Sequence, residues 1–461
     1  MADPAAVARG ALRGTTAWLV GGAPRDRRLG RPVTDLDVVV DGDPRAAARA
    51  IADACGGPLF ELSGEFGAWR VLARDRSWQA DVSPLRGGSL DADLALRDFT
   101  INAIAEPLGG GEDTDPFGGA GDLDAGRLRM VSAAAFAADP LRVVRAARLA
   151  CELGLEVEDA TLEAARAHAP AVTGVAMERV FAELRRIVCA EDPLRGLALL
   201  DAVGATAVVL PELDALRDVE QTRYHHLDAH GHTLEVLERA VELERDPAAV
   251  LGEETGARVA ALLAEPLADE LTRGGALRWG ALLHDAAKPQ TQTPHPDGGF
   301  GFPGHDREGA DLARGVLARL RASERLRAHV AALTRHHLRL GFLVHQMPLD
   351  AHALYGYLTA CDPVAADVSL LSVADRLATR GRKAEESIAR HLELASVVLP
   401  AALDGHADGA PRPLVRGDEL ARELGIDPGP EVGRLLEALR EAQYAGEVGS
   451  REDALALARR L

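Results

Sequence analysis

Two aspartates separated by one residue, Asp35 and Asp37, stand in the apolar run DLDVVV at residues 35–40. The valines of this run predict a β-strand, and residues two apart on a strand project from the same face. Two neighbouring carboxylates repel each other unless a cation lies between them. Carboxylate oxygens are ligands that Mg²⁺ prefers, above all when the ion also carries nucleotide phosphates. The pair therefore predicts a magnesium site for a phosphorylated ligand.

A glycine turn precedes this strand. Residues 18–20 form a short apolar run that predicts another strand, and Gly21 and Gly22 follow it directly. Glycine lets the backbone come close to a ligand, and Pro24 suits the first turn of a helix. A strand, a glycine turn and a helix N-terminus together are typical of phosphate sites, and Arg25 would add a planar set of donors. We expect Gly21, Gly22 and Arg25 to bind phosphate.

A third acidic residue, Asp81, lies in residues 78–82, where apolar and polar side chains alternate as they do in a strand. Asp81 therefore leaves the apolar face. It is either a third carboxylate beside Asp35 and Asp37 or a solvated residue at the end of a strand, and the alternation alone does not decide between them.

The glycine turn, written GGxxRD, and the later DxD resemble the active-site signature of class II tRNA nucleotidyltransferases, the CCA-adding enzymes and their bacterial poly(A) polymerase relatives. The segment RDFTINA at residues 97–103 matches a second motif of that family. The resemblance implies that three catalytic residues, Asp35, Asp37 and Asp81, hold Mg²⁺. It also implies that three others, Arg97, Asp98 and Asn102, address the phosphates and the sugar of the nucleotide.

Residues 139–150, DPLRVVRAARLA, resemble the nucleotide-selecting motif of the family, EDxxR, with Ala138 in place of the glutamate. Aspartate only accepts hydrogen bonds and arginine only donates them. Asp139 and Arg142 side by side would therefore match the pairing edges of cytosine and adenine but not those of uracil and guanine. Arg145 would help to position the nucleotide. Asp139 before a proline is also a typical helix start, and this competing use of the carboxylate stays open.

Most of the 15 histidines lie in residues 221–400. Their order, H…HD…D, resembles the HD phosphohydrolase fold, and the resemblance implies a divalent metal shared by four residues: His232, His284, Asp285 and Asp375. Imidazole and carboxylate ligands suit Mn²⁺ or Ni²⁺, and equally Fe²⁺ or Zn²⁺, so the ligand types do not identify the metal. His305 and His337 are candidates for a second metal, with His336 as the alternative.

Composition places the chain among globular proteins, with 47% hydrophobic and 27% charged residues over 461 positions. No apolar stretch has the length of a membrane span, the first residues lack the apolar core of a signal peptide, and the four cysteines are scattered. These features predict a cytoplasmic protein without a membrane partner. A net charge of −19 argues against nonspecific coating of nucleic acid but leaves room for a local basic surface. No feature of the sequence indicates an oligomeric state.

The expected fold class is α+β. By the resemblance, a nucleotidyltransferase head of the polymerase-β type, with a mixed sheet, occupies residues 1–130, and a helical neck that selects the nucleotide and binds RNA occupies residues 131–220. An HD domain is expected over residues 221–400 and a helical tail over residues 414–461. A linker rich in Ala, Gly, Asp and Pro is expected at residues 401–413.

The resemblance implies addition of C and A to the 3′ end of tRNA from CTP and ATP. Residues 81–97 are short beside the flexible loop that helps relatives to switch from C to A, so we expect A addition to be the weaker step. Enzymes of the same family that add only CC, only A or a poly(A) tail are alternatives. From other classes, the alternatives are a metal-dependent phosphohydrolase with an accessory head and a noncatalytic RNA-binding module, which the DxD pair disfavours.

Overall fold

The computed structural model describes residues 3–64, 67–221, 227–294, 299–380, 384–408 and 412–461. Two units follow each other along the chain, Met1–Val209 and Leu210–Leu461. The predicted α+β class is confirmed, because the first unit contains a mixed sheet and helices make up most of the second. Among the described residues, no helix is long and apolar enough to cross a membrane.

The strands of the first unit are β1 (Ala17–Val20), β2 (Asp35–Val40), β3 (Leu59–Ser63), β4 (Ala68–Leu72), β5 (Gln79–Pro84), β6 (Glu106–Pro107), β7 (Arg127–Leu128) and β8 (Glu156–Val157). The first six form one sheet in the order β3–β4–β5–β2–β1–β6, and β7 and β8 form a separate parallel pair. Within the sheet β2 and β5 run parallel, whereas all other neighbours are antiparallel. The parallel pair at the centre is the scaffold that positions the aspartates.

Strand β2 has one apolar face and one acidic face. Leu36 and Val38 are buried in the core under the sheet. Asp35 and Asp37 alternate with them and remain exposed, as the spacing predicted. The register places Asp81 of β5 directly opposite Asp37 of β2. The third carboxylate therefore lies on the same face as the first two.

The helices of the first unit are α1 (Pro4–Ala11), α2 (Gly22–Arg28), α3 (Pro44–Cys55), α4 (Leu90–Ala95), α5 (Gly119–Asp124), α6 (Ala135–Ala138), α7 (Arg142–Leu153), α8 (Asp159–His168), α9 (Met177–Val188), α10 (Pro193–Ala202) and α11 (Thr206–Val209), with 3₁₀ turns at Thr100–Asn102 and Ala169–Gly174. Ala48 and Ile51 of α3 cover the apolar face of the sheet. The longer helices α7, α9 and α10 pack against one another.

The helix expected to begin at Pro140, with Asp139 as its cap, begins at Arg142 instead. Asp139 has an extended backbone, and its carboxylate accepts a hydrogen bond from the backbone N–H of Leu141 at 3.2 Å. Its backbone oxygen accepts another from the N–H of Arg142 at 3.1 Å. The aspartate therefore still satisfies donors at the start of this helix, as a capping residue does.

The helices of the second unit are α12 (Pro211–Asp214), α13 (Ala229–Arg245), α14 (Pro247–Leu251), α15 (Glu253–Leu263), α16 (Arg273–Leu283), α17 (Lys288–Thr291), α18 (His305–Arg319), α19 (Glu324–His336), α20 (Arg339–Leu343), α21 (Ala351–Ala360), α22 (Ala365–Ala378), α23 (Ala384–Asp408), α24 (Gly417–Leu424), α25 (Pro430–Tyr444) and α26 (Arg451–Ala458), with a 3₁₀ turn at Val344–Gln346. Two antiparallel pairs accompany them, β9 (Pro266–Ala268) with β10 (Leu271–Thr272) and β11 (Thr293–Pro294) with β12 (Phe300–Gly301). α16 packs against α13, α19 and α22 and buries Trp279 completely. α24, α25 and α26 enclose an apolar core of their own.

The linker expected at residues 401–413 is wrong in its first part. α23 continues without a break to Asp408, through Pro400 and Gly405. Ala402 and Leu403 are buried, so packing outweighs the low helix propensity of the glycine and the proline. Residues 409–411 of the expected linker lie outside the described part of the chain.

Candidate functional site

The acidic face of β2 opens into a cavity of about 340 Å³ in the first unit. Asp35 and Asp37 line it together with Gly21 and Gly22 of the glycine turn. Gly21 has a φ of +71°, and a Cβ added to it would lie 2.4 Å from Oδ2 of Asp37. Only glycine combines that backbone conformation with room for the carboxylate. The glycine turn and the DxD strand, which the sequence predicted to act together, therefore lie in contact.

The walls of this cavity change the acidity of Asp37. They displace water around the carboxyl and so raise its pKa, although the side chain is still open to solvent. The Arg97 guanidinium opposes that shift, whereas the like charges of Asp81 and Asp35 add to it. A cation among the three carboxylates would remove their repulsion. The three carboxylates therefore fit a divalent metal.

Asp81 is tied to a partner that sequence reasoning missed. Arg70 of β4 lies opposite it in the antiparallel register and donates two hydrogen bonds to its carboxylate, each 2.7 Å long. These hydrogen bonds raise the pKa of Arg70. Any metal bound by Asp81 would share the carboxylate with Arg70. The pairing of Arg70 with Asp81 follows from the register of β4 against β5, and the sequence alone does not reveal that register.

Asp98 of the RDFTINA segment is saturated with hydrogen bonds. One oxygen accepts from the N–H of Phe99 at 2.8 Å and from Nδ2 of Asn102 at 3.0 Å. The other accepts from Nε and Nη2 of Arg145 at 3.0 and 2.8 Å. Burial would raise the pKa of Asp98, but Arg145 and these hydrogen bonds lower it well below its usual range. A carboxylate offers about four acceptor positions, so Asp98 fixes Asn102 and Arg145 and has little left for a ligand.

The predicted phosphate-binding arginines line the same cavity in different states. Arg25 is buried and already donates to Oδ1 of Asn102 at 2.6 Å, besides its ion pair with Asp26. Arg97 binds Asp93 at 2.9 Å and keeps the rest of its guanidinium beside the cavity. Hydrogen bonds from Arg25 to Asn102 and from Asn102 to Asp98 thus connect the glycine turn to the RDFTINA segment.

A second cavity of about 190 Å³ adjoins the first, since Arg97, Asp98 and Arg145 line both. Asp139 and Arg142 line this second cavity. The structure therefore brings together the two residues predicted to read the base, and it places them next to the groups predicted to bind the triphosphate.

Asp139 and Arg142 are each held by other partners. Arg142 donates to the backbone oxygens of Leu96 at 2.7 Å and Ala135 at 3.0 Å. Asp139 forms an ion pair with Arg179 of α9, with 2.7 Å between Oδ2 and Nη2. No sequence signal pointed to Arg179, because the contact joins the residue between α6 and α7 to a helix residue 40 positions later. These contacts hold both side chains in the lining of one cavity.

Six side chains predicted to bind metal come together in the second unit. They form two groups whose possible ligand atoms lie within 4.8 Å of one another: His232, His284 and Asp375, and Asp285, His305 and His337. Asp285 joins the groups, because its Oδ2 lies 3.1 Å from Nε2 of His284 and its Oδ1 lies 3.4 Å from Nε2 of His305. A carboxylate between two sets of ligands is a suitable bridge for two metals.

Three of these histidines are oriented by the same kind of hydrogen bond. Nδ1 of His284, His305 and His337 donates to a backbone oxygen three residues earlier, at 2.8, 2.6 and 2.7 Å. That bond fixes the tautomer and leaves Nε2 for a metal. Nε2 of His284 is buried and lies 3.1 Å from Oδ2 of Asp285, but it forms no hydrogen bond of good geometry with any described residue. Burial lowers the pKa of His337 to about 4, so the ring is neutral, as a metal ligand must be. The donor set therefore fits a divalent metal.

Asp285 keeps its negative charge in this buried setting. Burial alone would raise its pKa, but the charges of His284 and Lys288 lower it well below the usual range. Nζ of Lys288 lies 2.6 Å from Oδ2 of Asp285. His336, the alternative ligand, lies outside the cluster, because its Nδ1 accepts a hydrogen bond from Nε of Arg339 at 2.9 Å.

Family profiles match three parts of the chain. They are the Poly A polymerase head domain over residues 17–129, the Probable RNA and SrmB-binding site of polymerase A over residues 154–217, and the HD domain over residues 230–380. An A-adding tRNA nucleotidyltransferase of Deinococcus radiodurans is 38% identical over 450 residues, which cover 96% of this chain and 95% of the relative. The chain belongs to the tRNA nucleotidyltransferase family.

Other members of the tRNA nucleotidyltransferase family are similar along nearly their whole length. A CC-adding tRNA nucleotidyltransferase of Thermus thermophilus is 36% identical, covering 95% of this chain and 92% of the relative. A CCA-adding enzyme of Thermotoga maritima, solved in complex with tRNA, superposes with a TM-score of 0.61 at 19% identity, covering 99% of this chain and 94% of that one. At this identity the solved structure shows the fold. The family predicted from the glycine turn, the DxD pair and RDFTINA is confirmed.

Proposed function

We propose that this chain transfers nucleotides from CTP and ATP to the 3′ hydroxyl of a tRNA in the cytoplasm. The observation that carries the proposal is the adjacency of two cavities, one lined by Asp35 and Asp37 and the other by Asp139 and Arg142. The named relatives add A or CC to tRNA, and we extend that substrate to this chain.

The metal-binding role in this reaction belongs to Asp35, Asp37 and Asp81, and we propose Mg²⁺ as the ion because the donors are all carboxylate oxygens. Bound Mg²⁺ would favour the ionised 3′ hydroxyl and stabilise the charge on the leaving pyrophosphate. The 3′ oxygen forms a bond to the α-phosphorus while the bond from that phosphorus to the pyrophosphate oxygen breaks. The carboxylates would hold the metal at the end of the cavity where the reaction takes place, and Gly21 leaves space there for Asp37.

The triphosphate and the sugar lie along the wall that the two cavities share. Arg97 and Arg145 line both cavities and donate to phosphate oxygens. Asp98 is a positioning residue, since its hydrogen bonds hold Arg145 and Asn102. Arg25 acts in the same way through Asn102.

Asp139 and Arg142 read the base. Asp139 accepts from the exocyclic amino group of cytosine or adenine, and Arg142 donates to the neighbouring ring nitrogen. Uracil and guanine offer an acceptor where Asp139 needs a donor, so they are rejected. Asp139→Ala should therefore increase UTP and GTP incorporation relative to CTP. Unchanged selectivity at unchanged activity would assign base reading to other residues.

A pair of variants tests the nucleotidyl transfer. Asp37→Ala should abolish incorporation of labelled CTP into a tRNA that lacks its CCA end, with an unchanged circular dichroism spectrum, because only the metal site is lost. Asp41→Ala, which removes an exposed carboxylate just after the same strand, should keep the activity. Near-normal transfer by Asp37→Ala would refute the metal assignment. With ATP as the only nucleotide, growth of a long A tail by the wild-type protein would make the chain a poly(A) polymerase.

We propose a second activity for the second unit, metal-dependent hydrolysis of a phosphoester such as a 2′,3′-cyclic phosphate or a terminal phosphate of RNA. The observation that favours it is the cluster of four histidines and two aspartates, in which hydrogen bonds to the backbone orient three of the histidines. We propose a divalent transition metal such as Mn²⁺ or Ni²⁺ for this mixed set of imidazole and carboxylate ligands. In the hydrolysis the oxygen of water bonds to phosphorus, the ester P–O bond breaks, and the leaving oxygen takes a proton.

Metal content tests this second site without depending on a substrate. Wild-type protein should retain a transition metal after purification, and His284→Ala should lose it together with hydrolysis. His352→Ala removes an exposed histidine of α21 that binds Glu441 and Glu447, and it should retain the metal. Equal metal in wild type and His284→Ala would refute the site.

A further inference from the structure

The cavity over the histidine cluster offers more than metal-binding groups. Its volume is about 560 Å³, which is in the range of sites that enclose a ligand of nucleotide size or more. Arg376 of α22 and two residues of α23, Arg390 and His391, line it together with the predicted metal ligands. A ligand that fills the cavity therefore extends beyond the phosphate that reacts.

Helical spacing brings these residues to one wall. Arg376 follows the metal-binding Asp375 directly on α22. Ser387, Arg390 and His391 are three and four residues apart on α23, and such residues share one face of a helix. All five line the cavity. A basic wall, Arg376 with Arg390, therefore runs from beside the metal ligands onto the neighbouring helix.

The two arginines of the basic wall are not neutralised. In the described part of the chain neither Arg376 nor Arg390 has a carboxylate within ion-pair distance, whereas Arg273 of the same unit binds Asp367. A net charge of −19 shows that carboxylates are abundant in this protein. Two unpaired guanidinium groups beside a cavity attract an anion, and phosphate matches their planar set of donors.

His391 is a neutral neighbour of the basic wall. It is 1% exposed, its Nε2 lies 3.2 Å from Oγ of Ser372, and its Nδ1 has no hydrogen-bond partner among the described residues. Burial, together with the charge of Arg376, lowers its pKa to about 4, so the ring adds no charge of its own. The positive charge available to a ligand on this wall is therefore that of the arginines.

We propose that the basic wall binds the second phosphate of an RNA 3′ end, so that this site takes an oligonucleotide in preference to a mononucleotide. The inference rests on the hydrolytic function proposed above. The terminal phosphate lies at the histidine cluster, and the preceding phosphodiester lies at Arg376 and Arg390. Arg390 is exposed, so a longer RNA can leave the cavity on that side. A cyclic mononucleotide has one phosphate and would leave both arginines without a partner.

Two substrates with the same reacting end test the basic wall in the full-length protein. They are uridine 2′,3′-cyclic phosphate and the dinucleotide UpU with a 2′,3′-cyclic phosphate. The KM should be about tenfold lower for the dinucleotide. Arg390→Gln should remove this advantage and change the KM of the mononucleotide by less than about twofold. Arg390→Lys should restore part of it, and Arg325→Gln, at an exposed arginine of α19, is the matched control.

Binding of a product gives a readout that needs no turnover. Calorimetry with UpU 3′-phosphate should show an affinity about tenfold lower in Arg390→Gln and unchanged in Arg325→Gln. Equal KM values for the two substrates would refute phosphate binding by the basic wall. An equal increase in both KM values in Arg390→Gln would refute it as well. If the protein hydrolyses uridine diphosphate or pyrophosphate in a way that depends on Arg390, and does not prefer the dinucleotide, the proposal that the ligand is an RNA 3′ end would be wrong. If no substrate is hydrolysed, the proposed hydrolytic function is wrong. In that case the calorimetric comparison of Arg390→Gln with Arg325→Gln still tests whether the basic wall binds an RNA 3′ end.

Discussion

Asp37 holds its position through neighbours of suitable size and charge. Gly21 leaves it space, since a Cβ there would lie 2.4 Å from its Oδ2. Asp81 faces it across the parallel strand pair, and Arg70 neutralises part of the charge of Asp81. The affinity that these carboxylates would have for a cation should therefore depend on Arg70 as well, because charges at this separation interact by about 1 kcal/mol or more.

Replacing Arg70 by methionine tests that dependence. In Arg70→Met the local charge becomes more negative, so the Mg²⁺ concentration that gives half-maximal CTP incorporation should fall about fivefold, which corresponds to about 1 kcal/mol. Arg74→Met removes the same charge from an exposed site and should change the requirement by less than about twofold. A higher requirement in Arg70→Met would show that the arginine holds Asp81 in the orientation that the metal needs.

At the scale of elements, an ion-pair network ties α7 to α9. Glu183 of α9 accepts hydrogen bonds from Arg145 and Arg148 of α7. Arg148 is 4% exposed and Glu183 7% exposed, so their charges balance inside the protein. Arg145 continues the network to Asp98. The orientation of a predicted nucleotide-binding arginine therefore depends on the packing of two helices.

Glu183→Gln tests the network with a side chain of nearly the same shape. It leaves Arg148 with Glu152 as its remaining carboxylate partner, so the free energy of unfolding should fall by about 2 kcal/mol, and the KM for CTP should rise as Arg145 loses support. Urea denaturation and steady-state kinetics measure the two effects. Glu163→Gln, at an exposed residue of α8, should change stability by less than about 0.5 kcal/mol. Equal stability of both variants would show that α7 and α9 are held by apolar packing alone.

The connection from β5 to α4 bears on which nucleotide is added. It consists of residues 85–89, and Arg86 within it binds Asp93 of α4 at 2.8 Å. Oγ of Ser89 accepts from the N–H of Ala92 at 3.2 Å, and Gly87 has a φ of +70°. A short connection with these ties has little freedom to rearrange the cavity between a C state and an A state.

We therefore expect C addition to exceed A addition. CTP incorporation into tRNA without its CCA end should be at least about tenfold faster than ATP incorporation into tRNA that ends in CC. The two single-turnover rates, measured with the same enzyme preparation, decide the matter. No detectable A would make this a CC-adding enzyme, and A addition without C addition would match the Deinococcus radiodurans relative and refute the argument from the connection.

Local periodicity explains what the sequence predicted well. Asp35 and Asp37 share a face because side chains alternate along a strand, and RDFTINA is a contiguous segment. The contacts of Arg70 and Arg179 could not be predicted, because they depend on strand register and on the packing of helices distant in the sequence. His336 and His337 are adjacent in the sequence, and His337 belongs to the cluster whereas His336 does not. Which of the two faces the cluster depends on how α19 ends, and the sequence does not show that. The linker predicted from residue 401 onward was wrong for a similar reason. Ala402 and Leu403 are buried in the tertiary structure, and composition does not show burial.

At the scale of the whole molecule, the two candidate sites lie in different units. The aspartates stand on adjacent strands of one sheet, whereas the histidine cluster draws its candidate ligands from helices α13, α18 and α22 and from the ends of α16 and α19. A metal in the cluster would therefore link elements that are far apart in the sequence. Its removal should loosen the second unit without affecting the sheet of the first.

Hydrogen exchange with and without a chelator measures this effect. In excess Mg²⁺, a chelator selective for transition metals should speed amide exchange in α13, α16 and α22 and leave the sheet of the first unit unchanged. A ligand that binds only the folded state stabilises it by roughly 2.7 kcal/mol at 100 times its dissociation constant, and the chelator removes that stabilisation. His284→Ala, which has no metal to lose, should exchange alike in both conditions. Faster exchange in the sheet as well would contradict a site confined to the second unit, and no change in wild type would contradict a bound transition metal.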